Sequence, residues 1–493
     1  MTKAQTYLQK LGLYDGEVDG IYGKLSEAAF VQFANALSID TILDANSRVI
    51  TNQLLQMPLV VRHLLDLLGV GDRLFQKFTN AQRIFVNMGQ ADHNYLGFLD
   101  RGINGCVAGT KKGLLGRNFA PSPLLNHIPF YADRLAALPD GVNVISYGEV
   151  AMLAGSQIRV KFSPYPALGE IPKIENVGLE FLHSSIQEAC ICIGSVVNGQ
   201  MLSRWIGRNP LRNVQFWSST KILPLLQTIG KANAADFIQP IANCLVTDTP
   251  TKPTTFTFLE LAERICAYKE TDKMTSNNLA AGCKQFATPL ELEDWLKDIT
   301  GNKNLSFRGR YGESPYFEIP YLLSPTGQSI ISGEKKPHKG DNLISAYDLT
   351  RIVSQMAWHR HIPPTHRLPD AQWHSLSTLI RAMGQDTARY VDAAIAALGL
   401  SYFIGDPVVI SKMGFGYSDQ RKQTELTYTA CIQFVDRLAR THDLPLPKLR
   451  SVNMTLRAVL DLKDPVRESL DIDSRMAASV TEILRKIVTE ELI

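Results

Sequence analysis

Two side chains three positions apart, Ser218 and Lys221, have the types needed to make and deprotonate an oxygen nucleophile. They sit in Phe216-Trp217-Ser218-Ser219-Thr220-Lys221-Ile222-Leu223-Pro224, just ahead of the apolar Ile222, Leu223, Leu225 and Leu226. That texture predicts a helix running back into a core, and residues i and i+3 of a helix share a face. A serine at such a start, with an amine to take its proton, is how a weak nucleophile is activated. Two further polar stretches follow. One is Lys273-Met274-Thr275-Ser276-Asn277-Asn278-Leu279-Ala280-Ala281; the other is Val408-Val409-Ile410-Ser411-Lys412-Met413-Gly414-Phe415-Gly416-Tyr417, a predicted strand interrupted by Lys-x-Gly.

The elements around these residues read as follows. Ala189 to Val196 is a buried strand, Asn198-Gly199 a two-residue hairpin turn, and Met201 to Ile206 the return strand, leading into the Ser218 helix. Glu425 to Phe434 reads as another strand, while 346–358, 376–383 and 469–492 read as helices. Gly327 to Asp341 is a polar insertion, and Ser163-Pro164-Tyr165-Pro166 through Pro172 reads as a linker. Residues 59–175 are otherwise opaque, apart from a helix over 60–68 and a strand over 143–147. Gly102 to Gly116 lacks phosphate-loop spacing, and Asp92-His93 and Asp100-Arg101 read as solvated loop.

Composition sets bounds on function. The 493 residues allow two or three domains, and 45% apolar with 20% charged residues is ordinary globular usage. A net charge of +3 with no basic stripe argues against a nucleic-acid partner. No apolar run is long enough to span a membrane, and Met1-Thr2-Lys3-Ala4-Gln5-Thr6-Tyr7 has no secretory signal texture. Seven scattered cysteines, Cys106, Cys190, Cys192, Cys244, Cys266, Cys283 and Cys431, support neither a disulfide framework nor a zinc site. Cys190 and Cys192 are expected on one side of a strand. His359, His361, His366 and His374 lie beside Pro363 and Pro364 and read as solvated loop rather than metal ligands. No cofactor or metal is expected.

The order Ser-x-x-Lys, Ser-x-Asn, Lys-x-Gly resembles that of the penicillin-interacting serine enzymes, the class A β-lactamase and D-Ala-D-Ala peptidase superfamily, over roughly residues 180–493. The resemblance implies an α+β fold, a β-lactamase/transpeptidase-like antiparallel sheet flanked by helices, with 176–493 as the hydrolase domain. It implies acylation of Ser218, with Lys221 taking its proton and Ser276 relaying a proton to the leaving nitrogen near the charge of Lys412. By position, Asn278 would hold the substrate's amide side chain, and the backbone N–H groups of Ser218 and Phe415 would form the oxyanion hole. Gly414 would let substrate approach the strand.

Two features depart from that pattern. Met413 stands where the family carries Thr or Ser, whose hydroxyl helps grip a substrate carboxylate; Arg421 or Lys422 is the candidate replacement anchor. The deacylation loop of the β-lactamases is expected near Arg308-Gly309-Arg310-Tyr311-Gly312-Glu313-Ser314-Pro315, making Glu313 the candidate base, Glu318 its alternative and Arg310 a loop anchor. The spacing is Arg-x-x-Glu and the family's following Asn is absent.

At the amino terminus, Leu8-Gln9, Leu11-Gly12, Val18-Asp19-Gly20-Ile21-Tyr22-Gly23, Ala29 and Phe33 resemble a small three-helix peptidoglycan-binding domain over residues 1–58. A calcium loop from Asp15 is disfavoured, because Ser26 stands at its twelfth position. The middle segment, 59–175, has no assigned fold. These readings imply peptidoglycan or a β-lactam as partner, and a periplasmic or cell-wall location despite the absence of a visible export signal. The alternatives are a D,D-carboxypeptidase or transpeptidase, an esterase on the same scaffold, and a wall-binding protein whose serine site has lapsed.

Overall fold

A five-stranded antiparallel core carries most of the apolar runs. In this computed structural model the described residues are 124–137 and 143–493, apart from 155, 249–255, 272, 399, 438–446 and 464, with positions 5, 16–21, 24, 25 and 28. Strands β1 (Ile186–Val197) and β2 (Gln200–Arg208) form the expected hairpin, with Asn198 and Gly199 at φ 49° and 75°. Two successive left-handed residues match the twist of the flanking strands. Strands β3 (Ile404–Ser418), β4 (Gln423–Asp436) and β5 (Lys448–Leu460) complete the core in the order β3-β4-β5-β1-β2, so the Lys412 strand lies at one edge. Ser163–Pro164 adds a short antiparallel pairing on β2, and Ile174–Glu175 a parallel one.

Both faces of this sheet are covered, which is why its strands read as nearly unbroken apolar runs. Cys190, Cys192, Val408 and Ile410 point to one core, shared with helices α1 (Ile222–Ala235), α2 (Phe258–Ala267), α3 (Ser276–Lys284), α4 (Pro289–Thr300), α5 (Ala346–Ala357) and α6 (Trp373–Met383). Ile191, Ile193, Val409 and Met413 point to the other, under α7 (Tyr390–Ala397) and the long α8 (Pro465–Val488). Cys190 and Cys192 thus share a face as expected, and all six described cysteines are buried thiols.

Several expectations need correction. The stretch around Tyr165 is not a linker: Tyr165 is buried, its hydroxyl is 2.6 Å from Ser354 Oγ, and Trp205 and Trp358 pack against its ring. Tyr131 and Leu135 join the first core and Phe162 the second, so the body begins well before residue 176. Residues 143–147 make a single bridge, Ile145 to Lys448, rather than a strand. The histidines are not all solvated loop. His359 and His361 are buried, and His361 Nε2 is 2.7 Å from Leu135 O, His366 Nδ1 2.8 Å from Tyr165 O. Among the described residues no group of three or more His, Cys, Asp or Glu could hold a metal ion, and no helix is long and apolar enough to cross a membrane.

The readings for residues 29–123, including Asp92-His93, Asp100-Arg101 and the helix over 60–68, lie outside the described residues. Within 1–28, the Gln5 side chain donates to Asp19 Oδ1 and Ile21 O and accepts from the Gly20 N–H, tying the Val18-Asp19-Gly20-Ile21 turn to the preceding segment.

Candidate active site

Ser218 does not open an α-helix. It lies in a 3-10 turn, Trp217–Lys221, and α1 begins only at Ile222. The pairing of Ser218 with Lys221 survives this change, because residues i and i+3 of a 3-10 turn eclipse one another. Immediately before the serine, Trp217 has φ 47°. A bulky residue in that region costs about 1–3 kcal/mol and persists only where its surroundings hold it. Here the indole Nε1 donates to Glu425 Oε2 at 2.8 Å and the ring covers Gly416, where a Cβ would come within 2.5 Å of it.

The turn is pressed onto β3. A Cβ at Gly414 would lie 2.5 Å from the Ser218 nitrogen and 2.8 Å from Phe216 O. Gly414 is therefore needed for the chain's own backbone to approach, where the sequence reading gave that space to substrate. Ser219 Oγ donates to Lys412 O at 3.0 Å, and Thr427 Oγ1 donates to Phe216 O at 2.8 Å, fixing the turn against two strands. Tyr268 OH donates to Met413 O at 2.8 Å, so that carbonyl points off the sheet's free edge. Alternation along an antiparallel strand turns the Phe415 N–H to the same edge.

The second polar stretch arrives at the amino end of α3. Lys221 Nζ donates to Ser276 Oγ at 2.7 Å, and both residues are buried. Lys412, also buried, donates from Nζ to Met413 O at 3.3 Å and lies 3.5 Å from the Tyr268 ring centroid. Lys221 Nζ is 5.6 Å from that same ring and 5.8 Å from the Tyr311 ring. Ser218 is half-buried, and its hydroxyl makes no hydrogen bond to another described residue. The structure thus brings Lys221 and Ser276 into direct contact, with Tyr268 bridging towards Lys412 and the Ser218 backbone against Gly414.

Other expected residues are engaged differently. Asn278 closes a capping box: its Oδ1 accepts from the Thr275 N–H at 3.0 Å and its Nδ2 donates to Lys273 O at 2.9 Å. Both ends of that amide serve the helix start instead of projecting to a ligand. Met413 is buried on the α7–α8 side of the sheet, opposite Lys412, so its side chain is not in the cleft. Arg421 is neither a free anchor nor a solvated charge. Its Nε donates to Glu425 Oε1 at 2.6 Å and its Nη2 to Gln215 Oε1 at 3.0 Å. Glu313 accepts from Thr275 Oγ1 at 2.5 Å and Asn277 Nδ2 at 2.9 Å, beside Ser276. Glu318 pairs with Lys335 on the surface, 2.7 Å apart.

The loop carrying Glu313 is anchored by Arg308, one position pair before the expected Arg310. Its guanidinium grips Glu293 through Nε at 2.9 Å and Nη2 at 2.7 Å. With Lys297 and the Phe307 N–H also donating, Arg308 foremost holds the Glu293 carboxyl down at about 2. Inside the loop, Lys284 Nζ donates to Gly309 O at 2.6 Å and Asn342 Oδ1 at 3.0 Å, and burial pushes this amine well below the usual lysine range. Tyr311 then reaches from the loop to Thr220 O at 3.1 Å. Tyr268, Tyr311, Lys284 and Trp217 were invisible to sequence reading. Trp217 and Tyr311 stand inside the motif stretches and the other two outside them, but each of the four matters only through a partner at least 25 positions away.

No family model matches the chain, and no curated protein matches it. Among solved structures, L2 complexed with relebactam aligns with 11% identity and a TM-score of 0.32, covering 60% of this chain and 91% of its own. A peptidoglycan synthetase from Bifidobacterium adolescentis ATCC 15703 aligns with 12% identity and a TM-score of 0.26, covering 62% of this chain and 59% of its own.

Proposed function

We propose that the chain is a serine acyl-transfer hydrolase of the penicillin-interacting type, acylated on Ser218 by a β-lactam or a D-alanyl peptide of peptidoglycan. The observation that carries this reading is the 2.7 Å contact of Lys221 Nζ with Ser276 Oγ, joining the first two motifs beside the Lys412 strand. In this reading the Lys221 amine takes the Ser218 hydroxyl proton as Oγ bonds to the carbonyl carbon. The resulting oxyanion lies between the N–H groups of Ser218 and Phe415. When the C–N bond breaks, the leaving nitrogen takes the Ser276 proton, which Lys221 replaces along their hydrogen bond.

Mass spectrometry of the chain with a labelled β-lactam over time is the test. A single adduct on Ser218, absent in Ser218→Ala, is the expected result. No adduct from any acyl donor removes the proposal. In the same reading residues 1–58 hold the enzyme at the periplasmic cell wall, which co-sedimentation with isolated peptidoglycan checks.

Esterase activity is the second reading, favoured by one observation: Met413 faces the far core and Arg421 is neutralised by Glu425. A cleft without those carboxylate anchors suits a neutral ester. Cleavage of neutral esters without β-lactam labelling would select it.

A further inference from the structure

We propose that Tyr268 is a positioning residue of this site, its ring holding the Lys412 ammonium apart from Lys221 so that the two amines keep separate duties. The inference rests on the acyl-transfer reading above and adds a residue to it. Two amines approach one aromatic ring here, from unequal distances. Lys221 Nζ donates to Ser276 Oγ at 2.7 Å, and Lys412 Nζ donates to Met413 O at 3.3 Å. The Tyr268 ring lies closer to Lys412. Its centroid is 3.5 Å from Lys412 Nζ against 5.6 Å from Lys221 Nζ, so the cation–π attraction falls chiefly on Lys412.

The ring is itself fixed at both ends. Its hydroxyl donates to Met413 O at 2.8 Å, on the strand that carries Lys412. Its backbone is the left-handed cap of α2, with φ 52° and ψ 39°, a conformation unfavourable for an aromatic residue. A glycine or asparagine would cap the helix without strain, so neither end of α2 asks for tyrosine. The aromatic ring over Lys412 does. Other ionisable groups near the two lysines are Cys266 on α2, Asp386 ahead of α7, Tyr311 on the Glu313 loop, and Glu270, whose Oε1 accepts from the Ser276 N–H at 2.8 Å.

The test replaces Tyr268 with phenylalanine and then with mono-, di- and trifluorophenylalanine, which weaken the π face stepwise at nearly constant shape. Two readouts are taken on the full chain: the acylation rate of Ser218, and the rate at which acetic anhydride modifies Lys412, followed by peptide mass spectrometry. With Tyr268→Phe as the reference, the expected result is about a tenfold fall in acylation across the fluorinated series, with Lys412 modified progressively faster. Flat series in Lys412 modification overturn the proposal, whatever the acylation result. Should the wild-type chain acylate with no donor, the acyl-transfer reading fails separately, and Lys412 modification still reports whether the ring holds that amine.

Discussion

Glu313 places its charge at the amino end of α3, where Thr275 Oγ1 and Asn277 Nδ2 donate to its two oxygens. A carboxylate held there interacts favourably with the helix terminus, a contribution of about 0.3–1 kcal/mol. Those contacts favour capping over water activation. Glu313→Gln should therefore slow hydrolysis of a Ser218 adduct by less than tenfold, whereas loss of a general base costs about 10²–10⁴ in rate. Following the adduct by mass spectrometry after removing free β-lactam checks this. A slowing of a hundredfold or more would make Glu313 the base.

At the scale of elements, the site depends on how closely the 217–221 turn can lie on β3. Gly414 and Gly416 face that turn, and Lys412 lies on the same face two positions before. The turn is held from behind by charges running across strands: Arg212 to Glu188, Glu188 to Arg457, Arg457 to Glu425, and Glu425 to Arg421 and the Trp217 indole. Gly414→Ala sets a methyl against the Ser218 nitrogen. It should cost about 1–3 kcal/mol as overpacking, and displacement of the nucleophile should lower acylation by about 10². Thermal melts and adduct formation measured on one preparation test both halves. Native acylation in a folded variant would show that the turn can retreat without consequence.

The whole molecule carries a pH dependence remote from the site. Asp473 on α8 is fully buried under the sheet, and burial pushes its carboxyl well above the ordinary range although the Tyr390 hydroxyl donates to it at 2.6 Å. The folded chain then binds this proton more tightly than the unfolded chain, whose Asp titrates near about 4. Its contribution to stability is complete below about that pH and declines as pH rises towards the folded value. Asp473→Asn removes the titration while keeping an acceptor for Tyr390. Relative to the wild type, the variant should gain melting temperature on going from pH 5 to pH 8. Parallel curves for the two proteins would show that Asp473 ionises normally when folded.

Much of this architecture is legible in the chain itself, because it is written in local patterns. Nearly unbroken apolar runs and Asn198-Gly199 announce the β1–β2 hairpin, and the Lys412 strand and helices α5 and α6 also show in local patterns. Ser218, Lys221, Ser276 and Lys412 stand out because reactive side chains interrupt apolar segments. What the sequence cannot carry is the direction of a side chain whose meaning depends on a distant partner. Met413 faces the far core because strand alternation puts it opposite Lys412. Arg421 belongs to Glu425, and Tyr165 lies in the core despite its prolines, because the surrounding aromatic rings bury it. Only the tertiary fold set Tyr268 over Lys412 and Trp217 in its left-handed pose, since those contacts join segments more than a hundred residues apart.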